Sequence, residues 1–437
     1  MLSRLDLRGF DGDLAAALAR HDSGSGSSND AEVRAAVRDV LDAVRRDGDR
    51  ALVELTERFD GCRIDTVRVP NEVVRAALER IPTDLREALE YAHGEIVAYH
   101  RLQTTVEVRM EGDGIALREV VVPVDRAGCY APGGRASYPS SVLMTAVPAR
   151  VAGVPEIALC VPPGPDGAVP TAALAAAAIA GVDEVYRVGG AQAIGALAYG
   201  TESIRPVDVI VGPGNAYVAA AKREVAGIVG IESLAGPSEV VIVADGTVGA
   251  RLVGVDLLAQ AEHGPDGAAV LVTWEPAVAD AVDAQIATLL ADSAGRPDLE
   301  STLTQTGRTV LVDDAEQAMA VVNVLAPEHL QLMTAGPEAL VPAVRNAGAV
   351  FCGEWAPVAV GDYVAGANHV LPTGRTARFA SALRVDDFRK HIHIVTLDAP
   401  GLARVGPYVR TLAIAEGLVE HARSIALRTA PNPQEGS

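Results

Sequence analysis

Residues 207–225 read VDVIVGPGNAYVAAAKREV: a short apolar run, a Gly-Pro-Gly turn, then residues at helical spacing. Strand, tight turn and helix form the unit of a parallel sheet, because parallel neighbours need a crossover of about a dozen residues or more. The unit recurs upstream, where REVVVPVDRAG (118–128), EIALCVPP (156–163) and DEVYRVGG (183–190) alternate with helical stretches such as TAALAAAAIAGV (171–182) and AQAIGALAYG (191–200). It starts again after Gly236-Pro237: SEVVIVADG, AAVLVTW, RTVLVDD and GAVFCG read as strands, with helical patterns at 250–263, 276–291, 315–325 and 337–346. Such alternation predicts an α/β protein of two Rossmann-like halves without close sequence repetition.

Composition agrees. The 437 residues suit two main domains with smaller additions, and with 49% hydrophobic but only 4% aromatic residues the cores must be built from Ala, Val and Leu. A net charge of −20 argues against a nucleic-acid partner, which needs a clustered basic surface. No apolar run reaches the ~20 residues needed to cross a bilayer. The start, MLSRLDLRGFDGD, lacks the apolar core of a secretory signal. Cys62, Cys129, Cys160 and Cys352 are scattered, as expected of reduced thiols in a cytoplasmic protein, and Cys160 in its apolar run is most simply a core residue. SGSGSSND (23–30) reads as a flexible loop, 31–59 and 71–103 as charged peripheral helices, and the stretch from Asp386 as a small appendage ending in a disordered TAPNPQEGS tail.

Several stretches carry possible chemistry. The turn in VGPGN could hold a phosphate on the helix N-terminus or exist for backbone geometry alone. AGCYAPGGRASYPSS (127–141) adds a second Gly-rich loop after a strand, with Tyr130 inside it; both loops fall at strand carboxyl ends, where open parallel sheets bind ligands. In LLAQAEHGPDG (257–267), Gln260 and His263 share a helix face, which fits either a capped helix end or part of a metal site. NVLAPEHLQL (323–332) sets Glu328 beside His329, the residue types of general bases; the pair is expected in a turn facing one cleft. VAVGDYVAGANHVLPTG (358–374) holds Asp362, Asn368 and His369 among small residues, and AEGLVEHARS (415–424) offers Glu416, Glu420 and His421. His93 and His100 read as solvent-exposed on one helix face. His391 and His393 would point to one side of a strand, with no carboxylate at matching spacing.

Taken together, GCYAPGGRASYPSSVLM, GGAQAIGALAYGT, VGPGNAYV, IESLAGPSEV, LLAQAEHGPD, APEHL, GDYVAGANHVLPT and AEGLVEHA, in this order, resemble histidinol dehydrogenases. The family usually has Asp where this chain has Glu232. The resemblance implies NAD-dependent oxidation of L-histidinol through L-histidinaldehyde to L-histidine, with one zinc per subunit. It implies Gln260, His263, Asp362 and His421 as zinc ligands and Glu328 and His329 as the proton-accepting pair. Ser238, Gln260, His263, His329, Asp362, His369, Glu416 and His421 match substrate contacts, and Tyr130, Gln192 and Asn215 match NAD contacts. It also implies a homodimer in which the C-terminal segment completes the other subunit's site.

The expected fold is two three-layer αβα domains in an aldehyde-dehydrogenase-like layout with small terminal appendages. Residues 1–28 would form an N-terminal segment, 29–128 with 239–385 the domain of zinc and base residues, 129–238 the NAD-side domain, and 386–437 the C-terminal domain. Two rivals are an aldehyde dehydrogenase using Cys129 as nucleophile, and a regulatory protein that kept the fold and lost catalysis. All six proposed ligand and base positions carry competent residues, which argues against the second.

Overall fold

A computed structural model describes residues 2–21, 30–104, 107–133, 137–233, 236, 238–264, 267–292 and 296–430. Contacts divide the chain into a large unit, Met1–Gln103 with Val124–Phe388, and a small one, Thr104–Pro123 with Arg389–Ser437.

The large unit contains two six-stranded sheets. In the first, the order is Ser3–Asp6, Gly307–Leu311, Ala268–Thr273, Glu239–Ala244, His329–Met333, Ala349–Cys352, all parallel. In the second, it is Arg68–Val69, Glu184–Arg187, Glu156–Val161, Arg126–Tyr130, Val209–Val211, Gly230–Ile231, parallel except at the first pair. Apart from the edge strands Ser3–Asp6 and Arg68–Val69, which come earlier in the chain, each half starts at a central strand, winds outward through two strands on one side, then returns for two on the other. Two halves were expected, and the winding order is where their likeness lies. In both, the topological switch falls beside the central strand.

The apolar strand runs are buried on both faces, as helices covering a parallel sheet require. One face of the first sheet packs Val240, Ile242 and Leu271 against Val253, Leu257 and Ile286; the other packs Val241, Val243 and Leu332 against Met319 and Val322.

The domain grouping differs from expectation in three places. The helices Asp30–Asp47 and Asp49–Asp60 bury Val37, Leu41, Val44 and Leu52 with Tyr130, Ala158, Ile194 and Ile210, so they cover the second sheet, not the one bearing Glu328 and His329. On the opposite face, Val74, Ala77, Leu89 and Ile96 of the next two helices join Val142, Leu159 and Val185. Their helical spacing revealed an apolar stripe, but a stripe does not say which sheet it meets. The N-terminal Ser3–Asp6 is an edge strand of the first sheet and no separate segment. Of the 23–30 loop, all but Asp30 lies outside the described residues, as do residues 431–437 of the tail.

Finally, the REVVVPVDRAG stretch is two strands. Ile115–Pro123 pairs antiparallel with Val108–Gly112 and Arg389–Leu397 in the small unit, whereas Arg126–Tyr130 is the centre of the second sheet. The small unit is completed by the helices Ala399–Ala415 and Val419–Thr429. Among the described residues, no helix is long and apolar enough to cross a membrane.

Candidate active site

The amino ends of the two switch strands of the first sheet hold the base pair. The helix Ala315–Leu325 ends at Ala326, whose φ of 47° is left-handed; Pro327 supplies no N–H and disfavours the right-handed helical region for the residue before it. The chain then enters the sheet directly. Glu328 lies at the strand entrance and His329 is the first strand residue, in register with Val240, so the pair is not in an open turn as expected. The two side chains still meet because Glu328 folds back: its Oε2 accepts the Glu239 N–H at 2.9 Å and lies 3.3 Å from His329 Nδ1.

His329 Nδ1 also lies 3.1 Å from the Glu239 carbonyl oxygen, an acceptor only, so Nδ1 carries a proton there. That leaves Nε2 facing Asp362 Oδ1 at 3.5 Å, buried and with no hydrogen bond of its own. Burial opposes an imidazolium here, but the charges of Glu328 and Asp362 outweigh it and hold His329 up at about 10. Asp362 is lowered in spite of burial, because His329 faces it at 3.5 Å and His369 and His263 add positive potential. Gly361 lets this segment approach the first sheet: a Cβ there would sit 2.5 Å from the Phe351 ring.

His369 is fixed at both nitrogens. Nδ1 donates to the Asp362 carbonyl at 2.8 Å and Nε2 lies 3.2 Å from Ser141 Oγ, while burial lowers its basicity. Asn368 is structural: it donates to Met144 O at 2.7 Å and to His100 Nε2 at 3.3 Å. His100 is thereby buried, which corrects its exposed reading; a polar partner 268 residues away leaves no trace in local periodicity.

Gln260 and His263 close the helix Ala250–Ala261 at the same end of the sheet. Gln260 is buried and its Nε2 has no partner, whereas His263 is exposed. Glu262, between them in sequence, turns away to pair with Arg296 at 3.0 Å. Beside Gly267 the space is bounded by the Ser238 carbonyl oxygen and Gln260 Nε2, 2.6 and 3.5 Å from where a Cβ would stand. Among the described residues, no group of three His, Cys, Asp or Glu side chains is gathered into a metal cage. The expected ligand set contains a glutamine and divides between the two units, since His421 lies exposed on the small one, on Val419–Thr429, as does the expected substrate contact Glu416 at the end of Ala399–Ala415.

The carboxyl end of the second sheet holds the other predicted residues. Tyr130, buried, accepts the Gly190 N–H on its hydroxyl at 3.1 Å. Gln192 is buried in the helix that Gly190 opens. Asn215 caps the helix Ala216–Val225, its Oδ1 accepting from the Tyr217 and Val218 N–H groups at 3.1 Å each. Gly212 has φ 125°, and a Cβ on it would fall 2.0 Å from the Tyr130 carbonyl oxygen, so backbone geometry alone requires glycine at this turn. Glu232 touches none of the expected ligands but bonds to the Gly212 N–H at 2.7 Å.

Local reading missed Glu239, whose backbone serves both bases and whose carboxyl accepts the Gly374 N–H at 2.7 Å. Burial, and then the Glu328 charge, push it up to about 7. It also missed Glu119, which lies across the sheet from His391 and His393 and bonds both, at 2.8 and 3.2 Å. The matching carboxylate exists, on the neighbouring strand. Cys129 offers no thiolate: it is fully buried, and burial pushes its thiol up to about 12.

Two like-wound parallel sheets, one with helix N-termini at its carboxyl edge and one with a histidine–carboxylate cluster at its amino edge, define an α/β enzyme suited to acid–base chemistry. Known proteins are similar over nearly the whole chain. A family described as histidinol dehydrogenase matches residues 24–429. The histidinol dehydrogenase of Synechococcus sp. is 50% identical over 397 residues, covering 90% of this chain and 92% of that protein. That of Gluconobacter oxydans is 47% identical over 440 residues, covering 99% and 100%. The crystal structure of histidinol dehydrogenase from Elizabethkingia anophelis matches with a TM-score of 0.89 at 32% identity, over 98% of each chain. The chain belongs to the histidinol dehydrogenase family and is an oxidoreductase.

Proposed function

We propose that this protein oxidises L-histidinol to L-histidine in two NAD-dependent steps through L-histidinaldehyde, with one zinc ion per subunit. Family membership carries the overall reaction, histidinol to histidine, in histidine biosynthesis. The observation that carries the residue roles is His329 Nε2, buried, without a hydrogen bond, and oriented by a bond on the opposite ring nitrogen.

Removing hydride from the carbinol carbon requires the hydroxyl proton to leave, and His329 Nε2 is its acceptor. The aldehyde then takes up water, which Glu328 deprotonates, and the hydrate loses a second hydride with His329 again as base. Each hydride reduces one NAD. Tyr130, Gln192 and Asn215 hold the dinucleotide at the carboxyl edge of the second sheet, where the helix N-termini favour its phosphates.

The chain's residues fit a zinc site. Gln260 has an unpartnered buried amide that a half-turn would convert to an oxygen donor, His263 is open, and Asp362 is held anionic. With His421 they make a mixed nitrogen and oxygen set. Bound there, zinc would hold the substrate's imidazole and amine and offset the Asp362 charge, drawing His329 toward its neutral form. Ser238, His369 and Glu416 complete the substrate contacts. Glu416 and His421 sit in the C-terminal segment, and the proposed assembly is a homodimer in which that segment completes the other subunit's site. The test is NADH formation from L-histidinol by purified protein, before chelation, after it, and after zinc is restored. Two NADH per histidinol, lost and regained with the metal, is the expected result; no activity with zinc replete would overturn the reading.

A further inference from the structure

The second sheet contains an ion pair that the reaction does not use. The side chains of Lys222 and Glu232 are each only 1% exposed, with Nζ and Oε1 2.7 Å apart. Replacing such a pair by apolar residues is often neutral or stabilising, so folding alone does not account for it. Glu232 Oε2 is also buried without a partner, which counts further against a purely stabilising role.

What the pair touches is more telling. Lys222 Nζ donates to the Gly212 carbonyl at 3.1 Å, and the same Glu232 Oε1 accepts the Gly212 N–H at 2.7 Å. Gly212 lies just past the last ladder residue, Val211, so both its peptide groups leave the sheet and need other partners. Pro213 follows and supplies no N–H. Gly212 is also the residue whose φ of 125° brings the turn against the Tyr130 carbonyl. Lys222 comes from the helix after the turn, and Glu232 from just beyond the next strand, Gly230–Ile231. Turn, helix and neighbouring strand are thus tied at one residue, three before Asn215.

We infer that Lys222 and Glu232 are positioning residues that hold the Gly212-Pro213-Gly214 turn in its dinucleotide-binding shape before NAD arrives. The inference rests on the NAD assignment above. A preformed turn spares binding the cost of ordering it, so the pair acts on NAD affinity and leaves the chemical step alone.

Two neutral double variants separate the roles. K222M/E232L removes the ion pair and both bonds to Gly212. K222M/E232Q also removes the ion pair but keeps an oxygen able to accept the Gly212 N–H. In the folded K222M/E232L protein, KM for NAD should rise roughly tenfold with kcat at saturating NAD kept within about threefold, and K222M/E232Q should recover most of the loss. A merely structural pair would shift the melting temperature and leave this split unmoved. Wild-type KM for NAD in both variants would overturn the inference.

If K222M/E232L does not fold, amide exchange of the 209–216 peptide in the wild-type protein decides. Slow exchange without NAD supports a preformed turn; fast exchange that becomes slow only with NAD overturns it. A wild-type protein that makes no NADH from L-histidinol would instead sink the functional reading, and the exchange measurement without NAD would still report on the turn.

Discussion

The two sheets of the large unit wind alike and gather their candidate site residues at opposite edges. In the second, the switch strands Arg126–Tyr130 and Val209–Val211 present Tyr130 and the Gly212 turn at their carboxyl ends, as open α/β sheets generally do. Its amino end is closed by ion pairs in which buried Arg126 binds Glu156 at 2.8 Å and also Glu184. In the first sheet the equivalent strands carry Glu239, Glu328 and His329 at their amino ends. There the carboxyl end is the closed one: Asp245 accepts the Ala335 N–H at 2.9 Å and the Thr247 N–H at 3.0 Å, tying the two strand exits together.

The difference is electrostatic. A carboxyl edge receives helix N-termini, whose free N–H groups and positive dipole end suit an anion such as a pyrophosphate. An amino edge receives helix C-termini, and the end of Ala250–Ala261 that bears Gln260 and His263 is the negative pole, which suits a cation. One topology used at both ends therefore offers sites of opposite polarity.

The largest break in this comparison is at the amino edge of the first sheet. Glu328→Ala and His329→Ala should each lower kcat by about 100- to 10,000-fold, the range of a lost general base, with zinc content unchanged. Steady-state kinetics with metal analysis checks this, and wild-type turnover in both variants would remove the assignment. A smaller effect is expected at the carboxyl edge of the second sheet. Asn215→Ala removes a helix cap that accepts two N–H groups, and should cost about 1 kcal/mol of stability while raising KM for NAD more than it lowers kcat. An equal fall in kcat would place Asn215 in the chemical step instead.

The last concerns Asp60, at the C-terminal end of Asp49–Asp60, whose charge acts on Tyr130. Burial raises it from 3.8 to about 6. A raised acid contributes stability that is complete below its unfolded value and lost as pH rises through the folded one. Asp60→Asn should therefore stabilise the protein by ~1–2 kcal/mol above pH ~7, after discounting for partial exposure, and change little near pH ~4. Thermal melts at both pH values check it; equal shifts at both would show that charge is not the cause.

Much of this was legible in the linear chain. The strand–turn–helix units, their repetition, the glycine turns and the crowded polar blocks follow from local rules: side-chain period, the missing N–H of proline, the freedom of glycine. Residues 257–267 show the limit. A Gln, a Glu and a His at a helix end are local information, but that Glu262 turns to Arg296 while Gln260 Nε2 is left buried and unpaired is not. The same holds for His391 and His393, whose carboxylate is Glu119 on the adjacent strand, and for His100, whose partner is Asn368.

The sequence by itself determined the class of fold, the family and the residue types available for chemistry, because these depend on patterns within some twenty residues and on the motifs in order. The tertiary structure decided which sheet the N-terminal helices cover, that Glu328 and His329 lie at the start of a strand, and that Lys222 and Glu232 meet at Gly212. Each depends on strand register and on contacts between distant segments, which are settled by packing the whole core and have no local signature.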